Sequence, residues 1–216
     1  MKQTFPATLV SVILGIARGL MILGLVLTMV VVTVVPFAKN FDVEVDVSWF
    51  TLGTNTTIPV RFYVDADAHR ITAPSIGVDR AELRDTHGSL RFPVRTGPFL
   101  FINAAFLIAL FVCAIFGLEQ LHRVFGTLRK GRPFIHDNAV RLRRVAAAVI
   151  AGELVGASMV AYNQFYAKTH FTATGLLFDA SFNVDFFAIV LAFIILAIAE
   201  VFAAGTRLDE DRALTI

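Results

Sequence analysis

Four stretches of this chain run for about twenty residues almost without charge, and no other feature of the sequence restricts the fold as strongly. Gly19 to Ala38 and Thr96 to Leu118 contain no charged residue, Val145 to Ala167 contains only Glu153, and Phe186 to Thr206 only Glu200. A helix of about 20 apolar residues crosses a hydrocarbon core of about 30 Å. Helices on the surface of a water-soluble domain keep a polar face, and four that are apolar all round do not suit such a domain. Charged residues make up 17% of the chain, against about 25% in a typical soluble domain. The expected fold is therefore an α-helical membrane protein: a four-transmembrane-helix bundle with a small extracytoplasmic antiparallel β insertion between helices 1 and 2. The first run is too long for a signal peptide, is directly preceded by Arg18, which breaks the usual pattern, and lacks a clear small-x-small cleavage site, so it reads as an uncleaved anchor.

Boundaries follow from the same pattern. Residues 1–38 hold the first helix and a short N-terminal lead, 39–97 the insertion, and 98–206 the other helices, at about 98–128, 138–167 and 184–206. A basic elbow occupies 129–137 and a short tail 207–216. Between the second and third spans stand Arg123, Arg129, Lys130, Arg132, Arg141, Arg143 and Arg144, opposed by Glu119 and Asp137. The connection from Lys168 to Asp185 has one Lys and two Asp. Short loops rich in Lys and Arg stay in the cytoplasm. That rule puts the elbow and both termini inside and the segment from Lys39 to Arg95 outside. Gly131 suits a left-handed helix end, Pro133 blocks continuation, and Asp137 or Asn138 suits the cap of the next helix. The elbow lacks the interleaved aromatics of a nucleic-acid surface and the glycines of a phosphate loop, so direct nucleic-acid binding is not expected. Basic segments beside a bilayer do attract anionic lipid.

In the outer segment the period changes to two. Phe41, Val43, Val45 and Val47 alternate with polar residues, and Ile58 to Val64 reads as a second strand with Pro59 near its start. Ala81 to Arg84 and Ser89 to Val94 read as a hairpin turning at Asp85 to Gly88, for three to five strands in all. His69 and His87, near Asp65, Asp67 and Asp85, have no ligand spacing, and no metal or cofactor is expected. A single cysteine, Cys113, excludes an internal disulfide and reads as a small buried hydrophobe.

Ionisable groups inside spans are costly and point to function or to pairing. Arg18, Glu119, Glu153 and Glu200 are the candidates. Glu153 lies nine residues past Arg144, well into the span, where it must be protonated, paired or facing a polar cavity. Arg18, Glu119 and Glu200 lie near inner span ends, where a cluster is expected. Ala147, Ala151, Gly156 and Ala157 are small enough for close helix approach. Leu121 to Phe125 and Ile198 to Phe202 share an aliphatic-x-x-Val-Phe pattern, as two hairpins of related design would.

The stretches VFGTLRKGRPF (124–134), NAVRLRR (138–144) and ILAIAEVFAAGTRLDEDRALTI (195–216) resemble the DUF2975 family of bacterial integral membrane proteins of uncharacterised function. The resemblance runs from the second span to the C-terminus, and the outer segment matches only in general character. It implies a bacterial inner-membrane location and a cytoplasmic partner, since family members are often encoded beside a helix-turn-helix regulator of the Xre type. The docking candidates are Arg129, Lys130, Gly131, Arg132, Pro133, Phe134, Asn138, Arg141, Arg143 and Arg144, together with the C-terminal tail; Asp209, Glu210 and Asp211 of that tail are a competing, purely structural partner for the same cations. A non-enzymatic sensor or regulator coupling an outer or bilayer signal to such a partner is the first expectation, with homo-oligomers allowed. A small transporter or channel subunit with an ion-linked path at Glu153 is the alternative. No histidine pair, serine–histidine pairing or carboxylate–metal pattern supports an enzyme.

Overall fold

The computed structural model describes residues 5–34, 44–47, 50–53, 55–64, 71–73, 78–81, 86–93, 97–131 and 133–214. Four long helices dominate: α1 (Phe5–Val34), α2 (Pro98–Arg129), α3 (His136–His170) and α4 (Phe186–Leu214). Each is long and apolar enough to cross a membrane. At 1.5 Å per residue, α2 and α3 measure about 48 and 52 Å, more than a hydrocarbon core of about 30 Å requires. Their outward faces carry large apolar side chains, among them Ile16, Leu23, Phe116, Phe165, Phe193 and Val201, all above 40% exposed. Asn103, Asn138 and Asn163 are fully buried instead. This reversal of the water-soluble pattern fits a multi-pass membrane protein, whose lipid-facing side is the apolar one. Thr33, Thr169 and Thr206 donate their hydroxyls to carbonyls four residues earlier, which satisfies them inside apolar helices.

Seven strands lie among the described residues. β1 (Glu44–Val47), β2 (Phe50–Gly53), β3 (Asn55–Val64), β4 (Ile71–Ala73), β5 (Val78–Ala81) and β6 (Thr86–Pro93) fall between α1 and α2, and β7 (Leu176–Asp179) between α3 and α4. The main sheet has the order β1-β2-β3-β6, with β7 also on β3, while β4 and β5 form a separate pair. All pairings are antiparallel.

Two strand expectations change. The hairpin turn assigned to Asp85 to Gly88 is not there, since Thr86, His87 and Gly88 belong to β6 and pair with Phe62, Arg61 and Val60. The β3–β6 ladder is eight pairs long and satisfies more backbone groups than a short β5–β6 hairpin would; β5 pairs with β4 instead. Gly88 suits this strand because a Cβ there would approach the Phe62 ring to 3.0 Å. The second change is β7, a strand in a connection read as a plain loop. Asp65, Asp67 and His69 lie outside the described residues, and so does Phe41, the first residue of the expected first strand.

By its contacts the chain divides into two compact units. One comprises Met1–Leu27, Phe106–Val155 and Val184–Ile216, the other Thr28–Ala105 and Gly156–Asn183. In the first unit α1 and α2 approach closely at Gly24, where a Cβ would come within 2.7 Å of the Phe111 ring. The α2–α3 contact uses Gly117 with Ala148 and Gly152 with Cys113, where a Cβ added at the glycine would lie 3.5 and 3.8 Å from the neighbour's Cβ. Ala147 and Ala151, expected to make such a contact, are exposed, because the true face lies one residue further along α3. The Val-Phe echo is also not carried into packing: Val124 is buried and Val201 exposed.

In the second unit the sheet packs on helix ends. Thr56, Ile58 and Val60 alternate on the buried face of β3. Phe92, opposite Thr56 in the ladder, places its ring 5.6 Å from Phe99 at the start of α2, 6.2 Å from Tyr166 and 4.9 Å from Phe171. Phe99 and Tyr166 approach to 4.2 Å between centroids. Such aromatic pairs add about 0.5–1.5 kcal/mol each beyond area burial. Beside this layer, Asp179 of β7 accepts hydrogen bonds from the Tyr63 hydroxyl at 3.2 Å and Lys168 at 3.4 Å.

Candidate functional site

The elbow between α2 and α3 is built around one residue. The Lys130 and Gly131 amides donate to Thr127 and Leu128 carbonyls, and Gly131 takes the left-handed φ of 72° that closes the helix. Asn138 is fully buried. Its Nδ2 donates to the Thr127 hydroxyl at 2.7 Å and to the Pro133 carbonyl at 2.9 Å, while its own N–H reaches the Ile135 carbonyl. The Thr127 hydroxyl in turn donates to the Val124 carbonyl. Asn138 thus stands inside the first turn of α3, which begins at His136, and ties that turn to the end of α2. It does not serve as the N-cap, and neither does Asp137, whose carboxylate accepts from Arg141.

Other family-like positions pack between helices as well, Phe134 only in part, since it stays 43% exposed. Phe134 lies on Gly205 of α4, where a Cβ would overlap its ring, and its centroid is 5.9 Å from that of Phe202. Leu142, Val124 and Ala199 form a buried cluster of α2, α3 and α4, with Leu128, Ile195 and Phe202 against it. Gly205 is small because Phe134 needs the space.

The cations divide into two groups. Arg141 reaches Asp137 and the Asn138 carbonyl oxygen, and Arg143 grips Glu200 Oε1 at 2.7 and 3.2 Å. Arg123 bonds Glu119 at 2.8 Å. Arg129, Lys130 and Arg144 are exposed, and among the described residues they have no acidic partner. Arg132 lies outside the described residues, and nothing is described of the side chains of Asp209, Glu210 and Asp211.

The four ionisable candidates of the spans do not form one cluster. Arg18 and Arg123 both bond Glu119, one on each carboxylate oxygen, in a mixed triad of α1 and α2. Glu200 belongs to Arg143. Glu153 accepts the Asp185 amide at 2.7 Å, and the Asp185 carboxylate accepts the Phe187 amide at 2.8 Å. Glu153 therefore caps the start of α4, where orphan amides and the positive end of the helix dipole favour a carboxylate. The sequence does not announce this, because the amide it meets comes from a backbone 32 residues away.

Two buried residues were missed. Asn103 and Asn163 are uncharged, so they vanish into apolar runs when only charge is scanned. An amide in a membrane span was the available signal. His87 is exposed on β6. No group of three or more His, Cys, Asp or Glu able to hold a metal occurs among the described residues.

Comparison with known proteins adds one match. A family model described as "Protein of unknown function (DUF2975)" matches residues 75–216. No curated protein and no solved structure matches the chain.

Proposed function

We propose, for a chain that belongs to the DUF2975 family of proteins of unknown function, a non-enzymatic regulatory role in the bacterial inner membrane. In this reading both termini and the basic elbow face the cytoplasm, by the positive-inside rule, and the sheet faces outward. The elbow holds or releases an acidic cytoplasmic partner such as an Xre-type helix-turn-helix regulator. A signal reaches it through the sheet or the bilayer.

One observation carries the reading. The elbow is braced by Asn138, Phe134 and the Arg143–Glu200 pair, yet it leaves Arg129, Lys130 and Arg144 exposed and without an acidic partner among the described residues. A stiff mount presenting cations without an acidic partner among the described residues suits charge-complementary docking, since little side-chain and loop order is lost on binding. The transporter reading rests on Glu153, and that carboxylate already has a use as the cap of α4.

The test is first whether a helix-turn-helix gene of the Xre type lies beside the gene for this chain, then co-purification of the full chain in mild detergent with that gene's product, and transcription of that regulator's targets. Reversing Arg129, Lys130 and Arg144 to Glu removes the regulator and changes transcription if the reading holds. Equal retention by both chains overturns it. For the transporter, proteoliposome flux lost in Glu153→Gln with the fold intact is the result that would replace the regulator.

A further inference from the structure

Asn163 on α3 is fully buried, and neither its Oδ1 nor its Nδ2 has a hydrogen-bond partner among the described residues. Asn103 on α2 is also fully buried. Its Nδ2 donates to the Phe99 carbonyl at 3.0 Å, which settles the amide orientation and leaves its Oδ1 without a partner among the described residues. Leaving one such group unmade inside a protein costs about 1–3 kcal/mol. Two amides on facing helices carry three such atoms.

The two side chains lie at the same level of the α2–α3 contact. Phe99 stacks on Tyr166 and on Tyr162, with centroids 4.2 and 6.0 Å away. Asn103 follows Phe99 by four residues along α2, and Asn163 precedes Tyr166 by three along the antiparallel α3. At 3.6 residues per turn each is one turn further along and within about 60° of the contact face. The layer of Phe92, Phe99, Tyr166 and Phe171 closes one side. Met159, one turn from Asn163 along α3, is also fully buried. Thr56, on the sheet face that carries Phe92, has a buried hydroxyl without a partner among the described residues.

We propose that Asn103 and Asn163 form an internal binding site for a small neutral hydrogen-bonding solute: water, or an amide or alcohol of similar size. The chemistry selects this class. The site offers two carbonyl acceptors and one amide donor, which match a molecule that both donates and accepts. Neither side chain carries a formal charge, so an ion would be buried without a counter-charge. Two amide oxygens also fall well short of the six to eight that a hard cation such as Ca2+ gathers.

The test is a crystal structure of the full chain in a lipidic phase, detailed enough to show ordered solvent, together with thermal unfolding in acetamide. Density for a molecule bridging Asn103 Oδ1 and the Asn163 amide, lost in Asn163→Leu, supports the site. Asn163→Ser replaces that variant if the leucine chain does not fold, and the wild-type density decides if neither folds. Given that density, a saturable rise of roughly 3–6 °C at ten times the dissociation constant assigns an organic solute. No rise with acetamide, with the density present, assigns water. A direct bond between the two amides with no molecule between them overturns the proposal, as does wild-type density unchanged in the variant.

Discussion

Asn138 and Asn163 stand on the same helix, both fully buried, and their surroundings are opposite. Asn138 spends its amide on Thr127 and Pro133 and its carbonyl on Arg141. Asn163 has no hydrogen-bond partner among the described residues. The elbow region is a polar knot closed by its own residues. The sheet region is an aromatic layer over helix ends, with polar atoms left over beneath it. A satisfied buried amide specifies structure, whereas an unsatisfied one carries a cost that a bound molecule can remove. The same residue type in the same kind of helix is therefore a brace in one place and a candidate site in the other.

This contrast can be broken one side at a time. The largest effect is expected from Phe99→Ala, which removes a ring 4% exposed at the centre of the aromatic layer. It should cost about 3–5 kcal/mol. Hydrogen exchange should quicken first in β3 and β6, with the elbow amides still protected; equal loss at both would show that the two regions are not separable. Next is Asn138→Ala, which leaves the Pro133 carbonyl and the Thr127 hydroxyl without their donor. A loss of about 2–3 kcal/mol is expected, read as a lower melting midpoint in detergent with the elbow amides exchanging faster. Gly205→Leu should cost about 1–3 kcal/mol by forcing Phe134 off α4. Adding Phe134→Ala should recover part of that cost, and strict additivity in the double-mutant cycle would argue against the contact.

The smallest effect concerns Asp179. Burial alone would raise its carboxyl, but hydrogen bonds from the Ala180 amide, Tyr63 and Lys168, with the Lys168 charge, outweigh it and hold the group below the ordinary carboxylate range. A folded-state pKa below the unfolded one adds stability that is present at neutral pH. That stability is lost as pH falls through the folded value, on the acid side of about pH 4. Wild-type stability should decline across that window slightly more than that of Asp179→Asn. Lys168 is half exposed, so the difference is small.

Legibility from sequence followed the range of the forces involved. The long helices and the glycine stop at Gly131 were readable because hydrocarbon length and left-handed backbone are local requirements. The β3 strand was readable from its alternation. The turn at Asp85 to Gly88 was misread because a strand can continue through a glycine when its partner ladder is long enough. β7 was missed because Leu176, Leu177 and Phe178 look like any apolar residues near a span, and only pairing with β3 makes them a strand. Of the small residues named on α3, Ala157 is buried while Ala147 and Ala151 lie one residue off the contact face, since a composition of alanines and glycines does not state which side meets a neighbour.

Taken alone, the chain of residues determined four helices long and apolar enough to cross a membrane: the number of apolar runs and their length follow from transfer energies that each segment meets by itself. The tertiary structure decided pairing. It sent Glu119 to Arg18, Glu200 to Arg143, Glu153 to the start of α4, and left Asn163 without a partner among the described residues. Hydrogen bonds and ion pairs act over about 3–4 Å between residues far apart in the chain, and that distance exists only once the helices have packed.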